Sequence, residues 1–231
     1  MIYERLDARL RLTTTELDRL GDVITGRRRA SLLTDSQRGG ILVDGAVHPT
    51  VAAMVAVTVA PHRWTVIERF DTEYAVPIRV GWEPSGIVTL SEVDGDHVTI
   101  SATHLELLPA QMLQLLRLYP SRRRVERPMI MTTAGAIDDA IVAVETGAAP
   151  PADLASVITH FVFGWRVSAG WRGEQSDRTM TVLDAGACGL WEVDYTLSGD
   201  QARRSTEVVL GPNGAVELLA GVGDIVTGRN R

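Results

Sequence analysis

Side chains that could perform acid–base, nucleophilic or metal chemistry are few in this chain, and their spacing does not favour it. His104 and Glu106 are two positions apart and would point to the same side if both lay on a strand, but no third metal ligand accompanies them. Asp138 and Asp139 are neighbours on a predicted helix and therefore point in different directions. The sole cysteine, Cys188, has no neighbouring histidine that could activate its thiol. We therefore expect no metal site, no cofactor and no enzymatic activity.

Motifs for nucleotide or nucleic-acid binding are also missing from the sequence. The chain contains no lysine, so it cannot form the glycine-rich phosphate loop that ends in lysine, and it has no GxGxxG, HExxH or GxSxG pattern. Its formal net charge of -6 opposes contact with a phosphate backbone. We therefore expect no nucleic-acid partner, which leaves protein binding or small-molecule binding as the main functional classes.

The sequence also bears on where the protein works. Charged residues interrupt the first positions of the chain, so we expect no export signal. The longest apolar run, residues 51–60, is about half of the roughly 20 residues that a membrane-spanning helix needs. A single cysteine fits a reducing compartment. We therefore expect a cytoplasmic protein without a membrane span.

The order of the predicted elements repeats itself along the chain. Trp64 and Trp165 each follow a helical segment and open a series of strands, and a turn rich in glycine and aspartate occurs later in each half, at residues 91–96 and 196–200. Each half is predicted to run strand, helix, helix, antiparallel strands and helix.

In the first half we predict a strand at residues 9–12, helices at 14–24, 49–60 and 109–118, and strands at 63–70, 74–82, 86–93 and 97–103. In the second half we predict a strand at 127–131, helices at 133–145, 152–160 and 213–226, and strands at 161–171, 178–183, 190–195 and 203–210. Runs of strands without regular β-α alternation indicate the α+β class. The chain is therefore predicted to be a single domain, residues 1–231, built from two quasi-two-fold pseudo-repeats (about 8–120 and 127–227) that share a central sheet.

The charged stretch at residues 119–127 is predicted to connect the two halves. It carries Arg122, Arg123 and Arg124 in a row. Runs of like charge usually remain in water, so we expect these three arginines to be solvated.

Three segments of the chain follow patterns known from one protein family. They are residues 12–20 (LTTTELDRL), residues 38–61 (RGGILVDGAVHPTVAAMVAVTVAP), which precede the predicted strand at 63–70, and residues 179–193 (TMTVLDAGACGLWEV). Together with the duplicated order, these segments resemble the EspG family, the substrate-specific chaperones of actinobacterial type VII (ESX) secretion.

The resemblance implies a cytosolic, non-enzymatic protein that binds the tip of a helical PE-PPE heterodimer, or of a similar secretion substrate, and shields its apolar surface before export. Family members recognise their substrate through the sheet and the carboxy-terminal helices. In this chain, the residues that would then contact the partner are Trp171, Val216, Leu219, Val222 and Val226. The last four recur every three or four positions, which is also the pattern of a helix that buries an apolar face in its own core.

Two other functions remain open at this point. A small-molecule-binding or sensory domain would hold its ligand in a pocket between sheet and helices, lined by tryptophans. A structural homodimer would pair the apolar face of its last helix with the same face of a second copy. We predict that Trp64 and Trp165 pack in the core, whereas Trp82 and Trp171 lie near strand ends and are freer to face a partner.

Overall fold

The structure is a computed structural model, and it describes residues 2–4, 8–28, 41–44, 46–71, 75–119, 121–171, 174–195 and 205–227. These residues form a mixed α+β protein with a large antiparallel sheet and six α-helices, which confirms the predicted fold class. The strands are β1 (Ile2–Glu4), β2 (Arg9–Thr13), β3 (Leu42–Val43), β4 (Ala46–Val47), β5 (Arg63–Phe70), β6 (Ala75–Trp82), β7 (Ile87–Asp94), β8 (His97–His104), β9 (Ile130–Thr133), β10 (Phe163–Trp171), β11 (Glu174–Asp184), β12 (Leu190–Tyr195) and β13 (Glu207–Asn213). The α-helices are α1 (Thr14–Ile24), α2 (Pro49–Val59), α3 (Leu108–Leu115), α4 (Ala134–Glu145), α5 (Ala152–Ile158) and α6 (Ala215–Thr227).

The predicted helices and longer strands are present, with their ends shifted along the chain. The strands β1, β3 and β4 were not predicted, because they are too short to show a period. The first predicted hairpin turn is confirmed: β7 and β8 pair up to Asp94 and His97, and Gly95 between them has a φ of 59°, which glycine adopts readily. The second predicted turn, at residues 196–200, lies outside the described residues.

The contacts within the chain divide it into two compact units. The first unit comprises Met1–Ile67, Val76–Gln111 and Ser168–Asp177, and the second comprises Glu68–Ala75, Met112–Val167 and Arg178–Arg231. The strands β5, β6, β10 and β11 are therefore divided, with part of each strand in the first unit and part in the second. Each unit has its own hydrophobic core.

In the first unit, the strands are ordered β1-β2-β8-β7-β6-β5. Thr13 ends β2 and caps α1: its hydroxyl accepts a hydrogen bond from the Glu16 backbone N–H, and the Glu16 carboxylate accepts one from the Thr13 backbone N–H. Burial raises the pKa of Glu16, but interactions of its carboxylate, among them the hydrogen bond that it accepts from the Thr13 backbone N–H, lower that pKa below its ordinary value of 4.5. The helices α1 and α2 pack on a core made of Leu10, Leu12, Leu20, Ile41, Val51, Met54, Val55, Val98 and Ile100.

In the second unit, the strands are ordered β10-β11-β12-β13-β9. Thr133 ends β9 and caps α4, because its hydroxyl accepts a hydrogen bond of 3.2 Å from the Ala136 backbone N–H. The helices α4 and α5 pack on a core made of Ile130, Ala140, Leu154, Val157, Ile158, Ala185, Cys188, Trp191, Val193, Val208 and Leu210.

The helices α4 and α6 lie against opposite faces of the sheet in the second unit. On β11, Leu183 packs with the core that α4 and α5 cover. Met180 lies under Gly221 of α6, so closely that a Cβ on this glycine would overlap the Met180 Cε atom. Side chains three positions apart on a strand point to opposite faces. The apolar surfaces of α4 and α6 are therefore on different sides of this unit.

The tryptophans occupy different environments. Trp165 is completely buried, which confirms the prediction for this residue, and Trp82 is also buried although we expected it to face a partner. Trp64 was predicted to lie in the core but is only half-buried. Its indole ring lies over Gly170, where a Cβ atom would be 2.6 Å from Trp64 Cε2. A side chain at position 170 would displace the Trp64 ring, so glycine at this position allows the ring to lie against the sheet.

Candidate functional site

The partner-binding residues predicted on α6 do not lie on one face of that helix. Val222 is 1% exposed and lies inside the second unit, whereas Val216 is 61% exposed, and Leu219 and Val226 are half-buried. Trp171 is half-buried at the end of β10 and belongs to the first unit. The buried face of α6 consists of Ala215, Leu218, Gly221, Val222 and Ile225. Of the predicted stripe, Val216 therefore offers the most accessible side chain.

An apolar concave surface of the second unit lies beside α4 and was not predicted. We call it the apolar groove. It has a volume of about 330 Å³. It is lined by seven large apolar residues and three polar ones, which are Phe70, Ile137, Ile141, Val144, Ile158, Phe161, Leu183, Asp71, Glu145 and Thr159.

One wall of the apolar groove is formed by α4, which has apolar residues on more than one side. Ala140 is completely buried and packs on the core. Ile137, Ile141 and Val144 follow at helical spacing and turn towards the groove. Ile141 is 42% exposed and Val144 is 37% exposed. The helix therefore presents apolar surface to solvent in addition to the face that holds it to the core.

The opposite wall of the apolar groove is aromatic. The rings of Phe70 and Phe161 are stacked, with centroids 6.3 Å apart and planes inclined by 19°. Phe70 lies over Gly164 of β10, where a Cβ atom would be 2.5 Å from Phe70 Cζ. Any larger residue at this position would displace the phenylalanine ring. The absence of a side chain at Gly164 therefore allows the Phe70 ring to take this position in the groove wall.

The charged residues that line the apolar groove are both acidic. Asp71 follows Phe70, and Glu145 ends α4 one position after Val144. None of the described lining residues is an arginine or a histidine. The groove therefore has the chemistry of a surface that accepts an apolar segment.

A buried ion pair holds the connecting segment to the second unit. The Arg122 guanidinium contacts both carboxylate oxygens of Asp184, with a hydrogen bond of 2.7 Å from Nη2 to Oδ1, and it donates a further bond of 2.8 Å to the Gly186 carbonyl. The side chain of Asp184 is 6% exposed and that of Arg122 is 24% exposed. The prediction that Arg122 is solvated is therefore wrong, whereas its neighbours Arg123 and Arg124 are exposed.

The histidine, glutamate and cysteine that could have performed chemistry do not form a catalytic or metal-binding group with one another. His104 is the last residue of β8, but Glu106 belongs to a short 3-10 turn, so the two do not lie on one strand. Cys188 is buried, and the closest polar side-chain contact of its thiol is Arg127 Nη2 at 3.8 Å. The Cys188 carbonyl accepts a hydrogen bond of 3.1 Å from the Trp191 indole. In the described part of the chain, no three His, Cys, Asp or Glu side chains cluster as metal ligands would.

No protein-family model matches the chain, and no curated protein matches it either. The resemblance to the EspG family therefore rests on the segments and the order of elements given above. Among the described residues, no helix combines the length and the apolar character needed to cross a membrane.

The apolar groove had a signal in the sequence. The helix predicted at residues 133–145 carries four large apolar residues, Ile137, Ile141, Val142 and Val144, on more than one side. A helix that packs on a core through one face needs only one apolar stripe. The excess on α4 therefore indicates a second apolar surface, although the partners Phe70 and Phe161 are not adjacent to α4 in sequence.

Proposed function

We propose that this protein is a cytoplasmic, non-enzymatic chaperone of the EspG type. It binds PE-PPE-like helical substrates of type VII secretion and keeps them soluble before export. The observation that carries the proposal is the apolar groove beside α4, with Ile141 and Val144 open to solvent. A surface of this kind is covered when an amphipathic helix lays its apolar face into it. The same face of the substrate would otherwise remain exposed and promote aggregation.

The size and chemistry of the apolar groove suit a helix. Ile137, Ile141 and Val144 form a ridge along α4, and the stacked Phe70 and Phe161 form the facing wall. Helix-in-groove recognition uses anchors on successive turns of the bound helix, which match such a ridge. A standard protein interface buries about 1,200 to 2,000 Å² in total, so the groove would be the centre of a wider contact surface.

The order of elements in the two units supports the proposed family. Residues 9–115 and residues 130–227 each run strand, helix, helix, four strands and helix, leaving aside the short strands β3 and β4. In each stretch the first strand pairs with the last of the four: β2 with β8, and β9 with β13. In each, a threonine at the end of the first strand caps the next helix. We take the two units as pseudo-repeats of one domain that share a central sheet, which is the architecture that the resemblance implies.

The proposal is tested by expressing the protein together with the PE-like and PPE-like proteins encoded near it, followed by size-exclusion chromatography with mass determination. We expect a stable ternary complex. Ile141→Asp places a charge in the apolar groove and should weaken the complex at least about tenfold, because a carboxylate would be desolvated without a partner. Val142→Asp is the matched control, since Val142 is 55% exposed on the same helix but does not line the groove.

Two results would overturn the proposal. If none of the neighbouring substrates binds at micromolar concentration, the chaperone function is wrong. If Val216→Asp on α6 abolishes binding while Ile141→Asp leaves it intact, the partner uses the predicted helix and not the groove. Circular dichroism of each free variant shows whether it is folded. A mass that doubles with concentration in the absence of substrate would instead favour the homodimer.

A further inference from the structure

A second concave surface lies in the first unit, between the carboxy-terminal end of α2 and the strands β5, β6 and β7. We call it the Arg79 pocket. It has a volume of about 310 Å³, and the lining residues that matter here are Thr58, Trp64, Arg79, Gly81, Thr89 and Ser91. All of them belong to the first unit. The pocket is thus independent of the apolar groove.

Strand pairing places one cation and two hydroxyl groups on the same side of this pocket. Arg79 is directly opposite Ser91, and Gly81 is directly opposite Thr89. Residues two apart on a strand point to the same face, so Arg79 shares its face with Thr89 and Ser91. Thr89 and Ser91 are both almost completely buried, and the Thr89 hydroxyl lies 3.3 Å from that of Thr58.

Arg79 supplies positive charge that nothing in the described chain neutralises. No described carboxylate forms an ion pair with it, and the pocket is lined by no Asp or Glu. A guanidinium binds a carboxylate through two parallel hydrogen bonds, which adds direction to the charge attraction. The pocket therefore favours an anion at its Arg79 end.

The other end of the pocket is closed by the end of α2, where Val59 and Pro61 supply apolar surface beside Thr58. At Gly81 a Cβ atom would lie 2.8 Å from the Val57 carbonyl oxygen and 3.1 Å from Pro61 Cβ, so the helix end sits directly on the strand. The last carbonyl groups of a helix carry partial negative charge, which repels an anion. A bound ligand would therefore direct its anionic group towards Arg79 and its apolar part towards α2.

Trp64 provides a flat apolar wall for the ligand. Its ring lines the pocket and rests on Gly170, which has no side chain to displace it. Planar apolar groups stack on an indole, and the volume is at the lower end of the range for ligand pockets, roughly 300 to 1,000 Å³. The space fits one ring with a short acidic side chain.

We propose that the Arg79 pocket binds a small organic carboxylate with a planar apolar body. Arg79 pairs with the carboxylate, the Ser91 hydroxyl lies beside it, and the ring of the ligand stacks on Trp64. This binding needs no chemical step. It is independent of substrate binding in the apolar groove.

The proposal is tested by titration calorimetry with benzoate, 3-phenylpropionate and indole-3-acetate. 3-Phenylpropanamide serves as the neutral counterpart, and inorganic phosphate serves as the anion without a ring. We expect at least one of the three carboxylates to bind at millimolar concentration or below. The amide should bind at least about tenfold more weakly, because the charge-assisted bond to Arg79 is lost.

Three variants distinguish ligand binding in the Arg79 pocket from nonspecific attraction of anions to arginine side chains. Arg79→Met should weaken carboxylate binding about tenfold or more, whereas Arg11→Met, on an exposed position of β2 in the same unit, should leave it unchanged. Val66→Phe fills the pocket from a half-buried lining position and should abolish binding, with thermal melting as the test of folding.

Any of four results would overturn the proposal. Two concern the ligands: none of the three carboxylates saturates the protein, or the acid and the amide bind with equal affinity. The other two are that Arg79→Met binds the carboxylates as tightly as the wild type does, or that phosphate binds as tightly as the carboxylates.

Discussion

Replacing Arg122 by methionine removes the guanidinium that holds the connecting segment to β11 while keeping most of the apolar length of the side chain. Asp184 would lose both ionic hydrogen bonds and would keep the bond of 2.8 Å that it accepts from the Gly186 backbone N–H. The Gly186 carbonyl would lose its arginine donor as well. The Asp184 carboxylate, whose side chain is 6% exposed, would then lack a positively charged partner.

The size of this effect follows from the burial of the two partners. Breaking a buried ion pair by removing one partner costs about 3 to 5 kcal/mol. Because the Arg122 side chain is 24% exposed, water can replace part of the lost solvation, so we expect about 3 kcal/mol in the free energy of unfolding. For a chain of this length, that corresponds to a fall in melting temperature of about 6 to 12 °C.

The assay is urea unfolding followed by circular dichroism, with Arg123→Met as the matched control. Arg123 is adjacent, exposed and of the same chemistry, so its variant should lie within about 0.5 kcal/mol of the wild type. Arg122→Met combined with Asp184→Asn should be less destabilised than the sum of the single variants, with a coupling of about 1 to 3 kcal/mol. If Arg122→Met and Arg123→Met unfold at the same urea concentration, the reasoning is refuted.

Two further predictions concern positions where local structure is tightly constrained. Gly164→Ala should lower the free energy of unfolding in urea by about 1 to 3 kcal/mol, because the new Cβ displaces the ring of Phe70. Gly211→Ala is the control: a Cβ at this position has no atom within 4 Å, so the change should be less than about 0.5 kcal/mol. Equal effects of the two variants would contradict this reasoning. The pKa of Glu16 is lowered in the folded state, so its contribution to the free energy of unfolding is present above pH 4.5 and is lost as the pH falls below that value. Glu16→Gln should therefore reduce the loss of stability between about pH 5 and pH 3. If the melting temperature of the variant falls with pH as steeply as that of the wild type, this prediction is wrong.

The caps and strand pairs could be predicted because their causes are local. A threonine at the end of a strand followed by a helical pattern specifies the cap, and Thr13 and Thr133 both act in this way. The turn at Gly95 requires a positive φ, which glycine supplies and a sequence reading can recognise.

The face of α6 could not be predicted by periodicity alone. The helix is apolar on several sides, so the stripe of Val216, Leu219, Val222 and Val226 fits helical spacing, as does the buried set of Ala215, Leu218, Gly221, Val222 and Ile225. The close approach of Met180 on β11 to Gly221 shows which of the two faces packs on the sheet. Tertiary packing therefore decides which face is buried.

The ion pair and the apolar groove depend on residues that are distant in sequence. Arg122 and Asp184 are separated by 62 positions. In the groove, Phe70 meets Phe161 only after the chain has folded. The composition of α4 indicates a second apolar surface, but neither the opposing aromatic wall nor the acidic rim follows from local pattern. Such sites require the strand pairing to be known first.

The most direct test of the proposed binding mode is hydrogen–deuterium exchange of the protein with and without the PE-PPE-like pair that it binds. The proposed binding mode predicts slower exchange in α4 and around Phe161 when the partner is added, because the bound helix covers the apolar groove. Exchange in α6 should change much less. Protection confined to residues 215–227, or no protection in α4 at saturating partner, would contradict the claim that this groove holds the substrate.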